Sequence, residues 1–305
     1  MTVSIEEYPI TKDIITKGFI RSINDDFFFE LLNLQKHRIT DWKYIQVHDE
    51  NGKILYDGLF ADGCRNGYGI EYYESIGFYK GEFFNGKRTG KGEMIYDDGT
   101  TYIGNFLNDK FSGYGEYKSK SGSIYCGNFS DNNFNGEGTF TYPNGDYVKG
   151  TFVNDRVNGK GELYYKHGDI YLGDFKDDRF HGEGEFLFSD GIRYNGNFHH
   201  DYFHGKGFMI EKSGNSYEGD FLFGKYHGQG IQLKKNGQKH TGFWRENVKD
   251  GIGVCEFPNG EIYKGNWKNG VRHGIGYKTK GNEIKKVVFR YNKKIHEEIF
   301  NNDSI

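Results

Sequence analysis

Hydrophobic and polar residues alternate in short runs along most of this chain, and the runs return at a fixed interval. The stretch YLGDFKDDRFHGEGEF, Tyr171 to Phe186, shows the pattern. Successive side chains on a strand point to opposite faces, so Tyr171, Gly173 and Phe175 share one face. The connector Lys176-Asp177-Asp178-Arg179 is polar and turn-like. Beyond the doublet Gly182/Gly184 the alternation resumes at Phe186 and Phe188, and Asp190-Gly191 is a hairpin signal. Each such stretch predicts two antiparallel strands.

The interval is 23 residues. The glycine between the two aromatic residues falls at Gly58, Gly81, Gly104, Gly127, Gly150, Gly173, Gly196, Gly219, Gly242 and Gly265, with no insertion. The doublet keeps the same step, from Gly67/Gly69 to Gly274/Gly276. Composition sharpens the reading. Aromatic residues make up 18% of the chain against 35% for all hydrophobic ones, with 46 glycines and 3 prolines. Apolar packing therefore rests on Tyr and Phe, which suits short strands and tight turns. A disordered low-complexity chain would be poor in aromatics. The expectation is an all-β protein with one β-hairpin per repeat.

These units resemble MORN repeats, whose pattern is Tyr-x-Gly-x-Phe/Trp, then a basic residue, His-Gly-x-Gly and a closing Asp-Gly. The resemblance covers about residues 54–280. Tyrosine holds the first position except at Val148 and His240; Trp244 and Trp267 replace phenylalanine in the last two repeats. The resemblance implies a single-layer, elongated antiparallel β-sheet rod with a grooved surface. Two strands per repeat at about 4.8 Å each advance such a rod by roughly 10 Å. Residues 1–53 are expected to cap the array, with a short helix beginning near Asp25-Asp26. Residues 54–282 hold ten repeats. Residues 283–305 hold a degenerate closing strand, where Val288 replaces the key glycine, and a tail.

The balance of 40 basic and 43 acidic residues, net charge -3, leaves no electrostatic footprint for nucleic acid. Three scattered cysteines, the lack of a signal-like N-terminus and the lack of a long apolar run point to a cytoplasmic protein. No catalytic, metal or cofactor site is expected. His181, His204, His227 and His273 recur in phase with the repeat, so neighbours are about 10 Å apart and cannot share a metal. His199 and His200 beside His204 make a denser cluster, read as surface residues. No stretch fits a phosphate-binding loop or a nucleophile elbow.

The informative positions are those that break the repeat. Two residues before the doublet, where the resemblance implies Arg or Lys, Arg65, Arg88, Lys249 and Arg272 comply. The central repeats carry Phe111, Phe134, Val157, Phe180, Phe203 and Tyr226 instead. This aromatic ladder is expected either to pack beneath the connectors or to form an exposed partner-binding strip. After the doublet, the apolar set moves by one residue at Phe208/Ile210 and Ile231/Leu233, which with Leu187 puts apolar side chains on the opposite face. Such a patch would mark an interaction surface. The functional expectation is a non-enzymatic scaffold or adaptor that binds a protein partner along an aromatic groove. The resemblance implies cytoskeletal or ciliary assemblies. Peripheral binding to acidic phospholipids is the alternative, weakened by the balanced charge. One end of the array is a candidate site of self-association.

Overall fold

A computed structural model describes residues 3–9 and 42–300. The described residues hold 24 strands and no helix. The helix expected near Asp25 and the tail at 301–305 lie outside the described residues. The chain divides into two compact units, Met1–Pro143 with Phe152–Asp155, and Asn144–Thr151 with Arg156–Ile305. In each unit the strands form an antiparallel meander in which sequence neighbours pair.

Within a repeat the first strand, such as Ile170–Lys176, turns back into Arg179–Leu187. The connector residues Asp177 and Asp178 have φ of 49° and 66°. Two consecutive left-handed residues make the primed turn whose twist matches paired strands. The connectors are also tied to each other. The Phe180 amide donates to Asp201 Oδ1 at 2.8 Å, and the Phe111 amide donates to Asn132 Oδ1 at 2.8 Å.

The glycine doublet is a bulge. Gly173 faces Gly184, but Asp174 faces His181, so Gly182 and Glu183 have no partner across the hairpin. Gly182 sits at φ 56°, where a Cβ is disfavoured, and the Glu183 amide donates to Asp174 Oδ2 at 3.1 Å. The facing pair Gly173/Gly184 does a different job. A Cβ on Gly184 would lie 2.8 Å from the Tyr171 ring, and one on Gly173 would lie 2.5 Å from the Tyr171 hydroxyl. The tyrosine lies flat over this gap and is fully buried. Its hydroxyl donates to the carbonyl of Asp174 at 2.7 Å, so the buried polar group is paired. Tyr79, Tyr102, Tyr125 and Tyr194 repeat this bond to the residue three further on. Burial pushes the tyrosine hydroxyls up, to about 12 at Tyr102.

The array extends past the expected closing strand. Glu283–Arg290 pairs with Val271–Lys280, and a further strand, Lys293–Phe300, pairs with Glu283–Arg290. Val287 and Phe289 are buried against Tyr263 and Trp267, so this glycine-free segment still covers the last full repeat. Before the repeats, Ser4–Pro9 pairs with Lys43–His48, which pairs with Ile54–Ala61.

Candidate binding surface

Each unit has an aromatic face and an opposite face. On the aromatic face the tyrosine is enclosed by rings. Around Tyr171, Phe175 and the next repeat's Phe198 stand edge-on at 5.1 and 5.0 Å, and Phe180 lies parallel at 3.8 Å. The same parallel stack joins Tyr102 to Phe111, Tyr125 to Phe134, Tyr194 to Phe203 and Tyr217 to Tyr226, at 3.7–3.9 Å. The ladder is thus the lid of the ring core. Phe180 and Tyr226 are buried, and Phe111, Phe134 and Phe203 are half-buried. Of the two expectations, packing is the one that describes these rings, and the exposed strip is not formed: a ring stacked on the tyrosine cannot offer that face to a partner.

The second set of expected positions lies elsewhere. Phe208, Ile210, Ile231 and Leu233 are 37–47% exposed. They stand opposite the tyrosines because Gly207 and Gly230 pair with Gly219 on the aromatic face, and their next neighbours point away. Leu187, between Ile170 and Arg193, is half-buried on that side. In the second unit this face forms a groove of about 1170 Å³ whose walls include Phe208, Ile231 and Phe243 with Glu183, Glu185 and Glu218. Lys160 and Lys206 close ion pairs with Asp174 and Asp220 at 2.9 and 2.7 Å. Among the described residues no ion pair reaches the three glutamates. The first unit has a smaller groove of about 510 Å³, lined by Tyr68, Lys80, Lys91, Glu93, Ile103 and Tyr114 among others.

Sequence reasoning missed Phe243, Ile252, Ile275 and Tyr277, which are 44–61% exposed on the same face of the second unit. The signal was present, since each lies one residue from a glycine of the aromatic face. His199 stands 5.3 Å from His181 and 5.4 Å from His204, ring to ring, yet no described group of three His, Cys, Asp or Glu is placed to hold a metal.

One repeat departs from the others inside its core. His240 replaces the tyrosine over Gly242 and Gly253, and both its ring nitrogens are buried without a partner. Lys249 fills the ladder position, with its ammonium 4.8 Å from the Trp267 ring centre. Burial, reinforced by the Lys249 charge, pushes the His240 pKa down to about 3, so it is neutral. Burial also lowers the Lys249 pKa.

A hairpin repeated in register, with ring packing on one face and a groove on the other, defines a β-repeat protein. The MORN repeat model matches ten consecutive stretches, from 56–75 to 263–282. The chain belongs to the MORN-repeat family. No curated protein matches it. Among solved structures it is similar to the TCP domain of Drosophila melanogaster SAS-4 (dCPAP), in complex with a proline-rich motif of Ana2 (dSTIL). That match has 16% identity and a TM-score of 0.30, and covers 58% of this chain and 90% of that one. The TCP10 domain of Danio rerio CPAP gives 11% identity and a TM-score of 0.24, over 76% and 95%. The virginiamycin B lyase of Staphylococcus aureus gives 10% and 0.15, over 77% and 83%. Scores this low carry no functional meaning.

Proposed function

We propose that this protein is a non-enzymatic scaffold or adaptor, and that the groove of its second unit holds a helical segment of a partner protein. The observation that carries this reading is an apolar row on the open face. Phe208 and Ile231 line the groove beside Glu183, Glu185 and Glu218, which no ion pair among the described residues reaches. The half-buried Val254 and the exposed Tyr277 continue the row along the same face beyond the groove. Successive members of the row are two strands apart, about 9.6 Å. Seven residues of an α-helix rise about 10.5 Å. A helix with an apolar residue in every heptad therefore keeps step with the groove over several turns. An assembly role in a cytoskeletal or ciliary structure fits this mode, because an array can hold a long segment without chemistry of its own. Among the described residues no helix is long and apolar enough to cross a membrane.

Affinity purification from native cells tests the reading. Phe208→Glu and Ile231→Glu should lose the partner that the parent chain retains. Leu107→Glu, at an exposed position outside this groove, should keep it. Retention by both groove variants would remove the proposal. Co-sedimentation with acidic liposomes at low salt would favour the lipid alternative.

A further inference from the structure

The open face of the second unit changes character along its length. Cross-strand pairing lays one row over it. Glu185 faces Asn195, Asn195 faces Phe208, and Phe208 faces Glu218. Glu218 faces Ile231, and the row continues through Thr241, Val254 and Lys264 to Tyr277. The end toward Glu185 is acidic. Glu183 stands two residues before Glu185 on the same strand, so both point to the same side. Glu183 and Glu218 are exposed and Glu185 is half-buried. The lysines beside them, Lys160 and Lys206, are already engaged by Asp174 and Asp220. The end toward Tyr277 is apolar. Ile252 and Ile275 stand 61% and 51% exposed on the strands of Val254 and Tyr277. The charge in the row changes sign there: Lys264, between Val254 and Tyr277, is exposed.

We propose that the partner helix has two unlike halves and lies in one direction. Its N-terminal half is basic and lies over Glu183, Glu185 and Glu218. Its C-terminal half is apolar and lies over Val254, Ile275 and Tyr277. Charge and direction are added here to the helical occupant already proposed, and they rest on it. Carboxylates without an ion-pair partner beside apolar walls are complementary to lysine or arginine and repel an acidic helix. Apolar side chains over the far end take its exposed isoleucines and tyrosine out of water. Direction follows from the helix dipole, which is positive at the N-terminus and negative at the C-terminus and acts within the first and last turns. The acidic end of the row favours the helix N-terminus, and Lys264 favours its C-terminus. From Glu185 to Tyr277 the row crosses eight strand spacings, about 38 Å. A helix of about 26 residues, close to four heptads, spans that length.

Three designed four-heptad helical peptides test this against the full chain, with affinity read by fluorescence anisotropy. All carry leucine at one fixed position of every heptad. The first has a lysine-rich N-terminal half and a leucine-rich C-terminal half. The second has the two halves exchanged, and the third is the first with glutamate for lysine. The first should bind about two- to fivefold tighter than the second, the size of a helix-end charge effect. It should bind at least about tenfold tighter than the third. Added salt should narrow the gap between first and third. The double variant Glu185→Lys with Glu218→Lys should erase that gap while its circular dichroism melting matches the parent's. Lys264→Glu should narrow the gap between first and second. A first peptide that binds no tighter than the second or the third, or a gap that neither salt nor the double variant moves, would overturn the proposal. If Ile231→Glu still weakened every peptide in that case, the helical reading would stand without it. Absence of binding by all three peptides would overturn the helical reading as well.

Discussion

One position is filled in two ways wherever the repeat has an aromatic or imidazole ring at its first position; in the remaining repeat, where Val148 replaces the tyrosine, the buried Val157 fills it. In the repeats of Phe111, Phe134, Phe180, Phe203 and Tyr226, a ring lies parallel to the repeat's tyrosine. In the repeats of Arg65, Arg88, Lys249 and Arg272, a cation takes the place. Arg88 holds its guanidinium 5.7 Å from the Tyr79 ring centre and 5.8 Å from Phe106. Arg272 sits 4.4 Å from Phe289, and Arg65 sits 5.2 Å from Phe83. Beside an aromatic ring the slot holds either a flat ring or a cation that can lie over π-faces, and beside Val148 it holds an aliphatic side chain. The two fillings should differ in energy. A stacked ring contributes buried apolar area plus the ring–ring term. A cation over a ring contributes roughly 0.5–2 kcal/mol and remains partly solvated.

The largest expected effect tests that difference directly. Phe180→Ala should cost about 3–5 kcal/mol in urea unfolding, because a buried aromatic side chain leaves a cavity. Arg88→Ala should cost only about 1 kcal/mol. Equal costs would mean that the parallel stack contributes nothing of its own. Next comes the floor on which both fillings rest. Gly184→Ala would drive a Cβ into the Tyr171 ring and should cost about 1–3 kcal/mol by the same measurement. A neutral outcome would show that the tyrosine is free to move.

The repeat of His240 and Lys249 offers the third test. His240→Tyr restores the residue that the glycine pair accommodates and removes a buried, unpaired imidazole, so it should stabilise the chain by about 1–2 kcal/mol. It should also change the pH response. The folded-state pKa of His240, about 3, lies below its ordinary value of 6.5. The unfolded chain therefore takes up the proton first. Stability contributed by the neutral ring is present above pH about 6.5 and is lost as pH falls toward 3. The parent chain should lose stability over that window more steeply than the tyrosine variant, and parallel slopes would contradict the assignment. The smallest effect tests exchangeability. Phe203→Arg should cost about 1 kcal/mol less than Phe203→Ala, since the guanidinium can lie over Tyr194 and Phe221 as Arg88 lies over its rings.

Much of this was legible before any coordinates. A period of 23 residues with glycines in fixed places specifies hairpins, their register and the family, because a repeat that buries the same ring over the same glycine pair must keep its spacing. The move of apolar residues to the opposite face at Phe208, Ile210, Ile231 and Leu233 was also readable, since strand periodicity alone decides the side. The position of the ladder relative to the tyrosines was not. Phe180 lies nine residues from Tyr171, and two residues of bulge intervene across the hairpin, so no count along the chain reveals that the two rings stack. Whether a ring is an open strip or a lid depends on what covers it, which is a property of packing.

What the sequence by itself determined is therefore the periodic part: strand alternation, hairpin turns, glycine gaps and the membership they imply. Tertiary structure decided the rest. It turned the aromatic ladder inward and extended the array by the strand Lys293–Phe300. These outcomes depend on contacts between residues of different strands, and a pattern read one residue at a time carries no distance across a sheet.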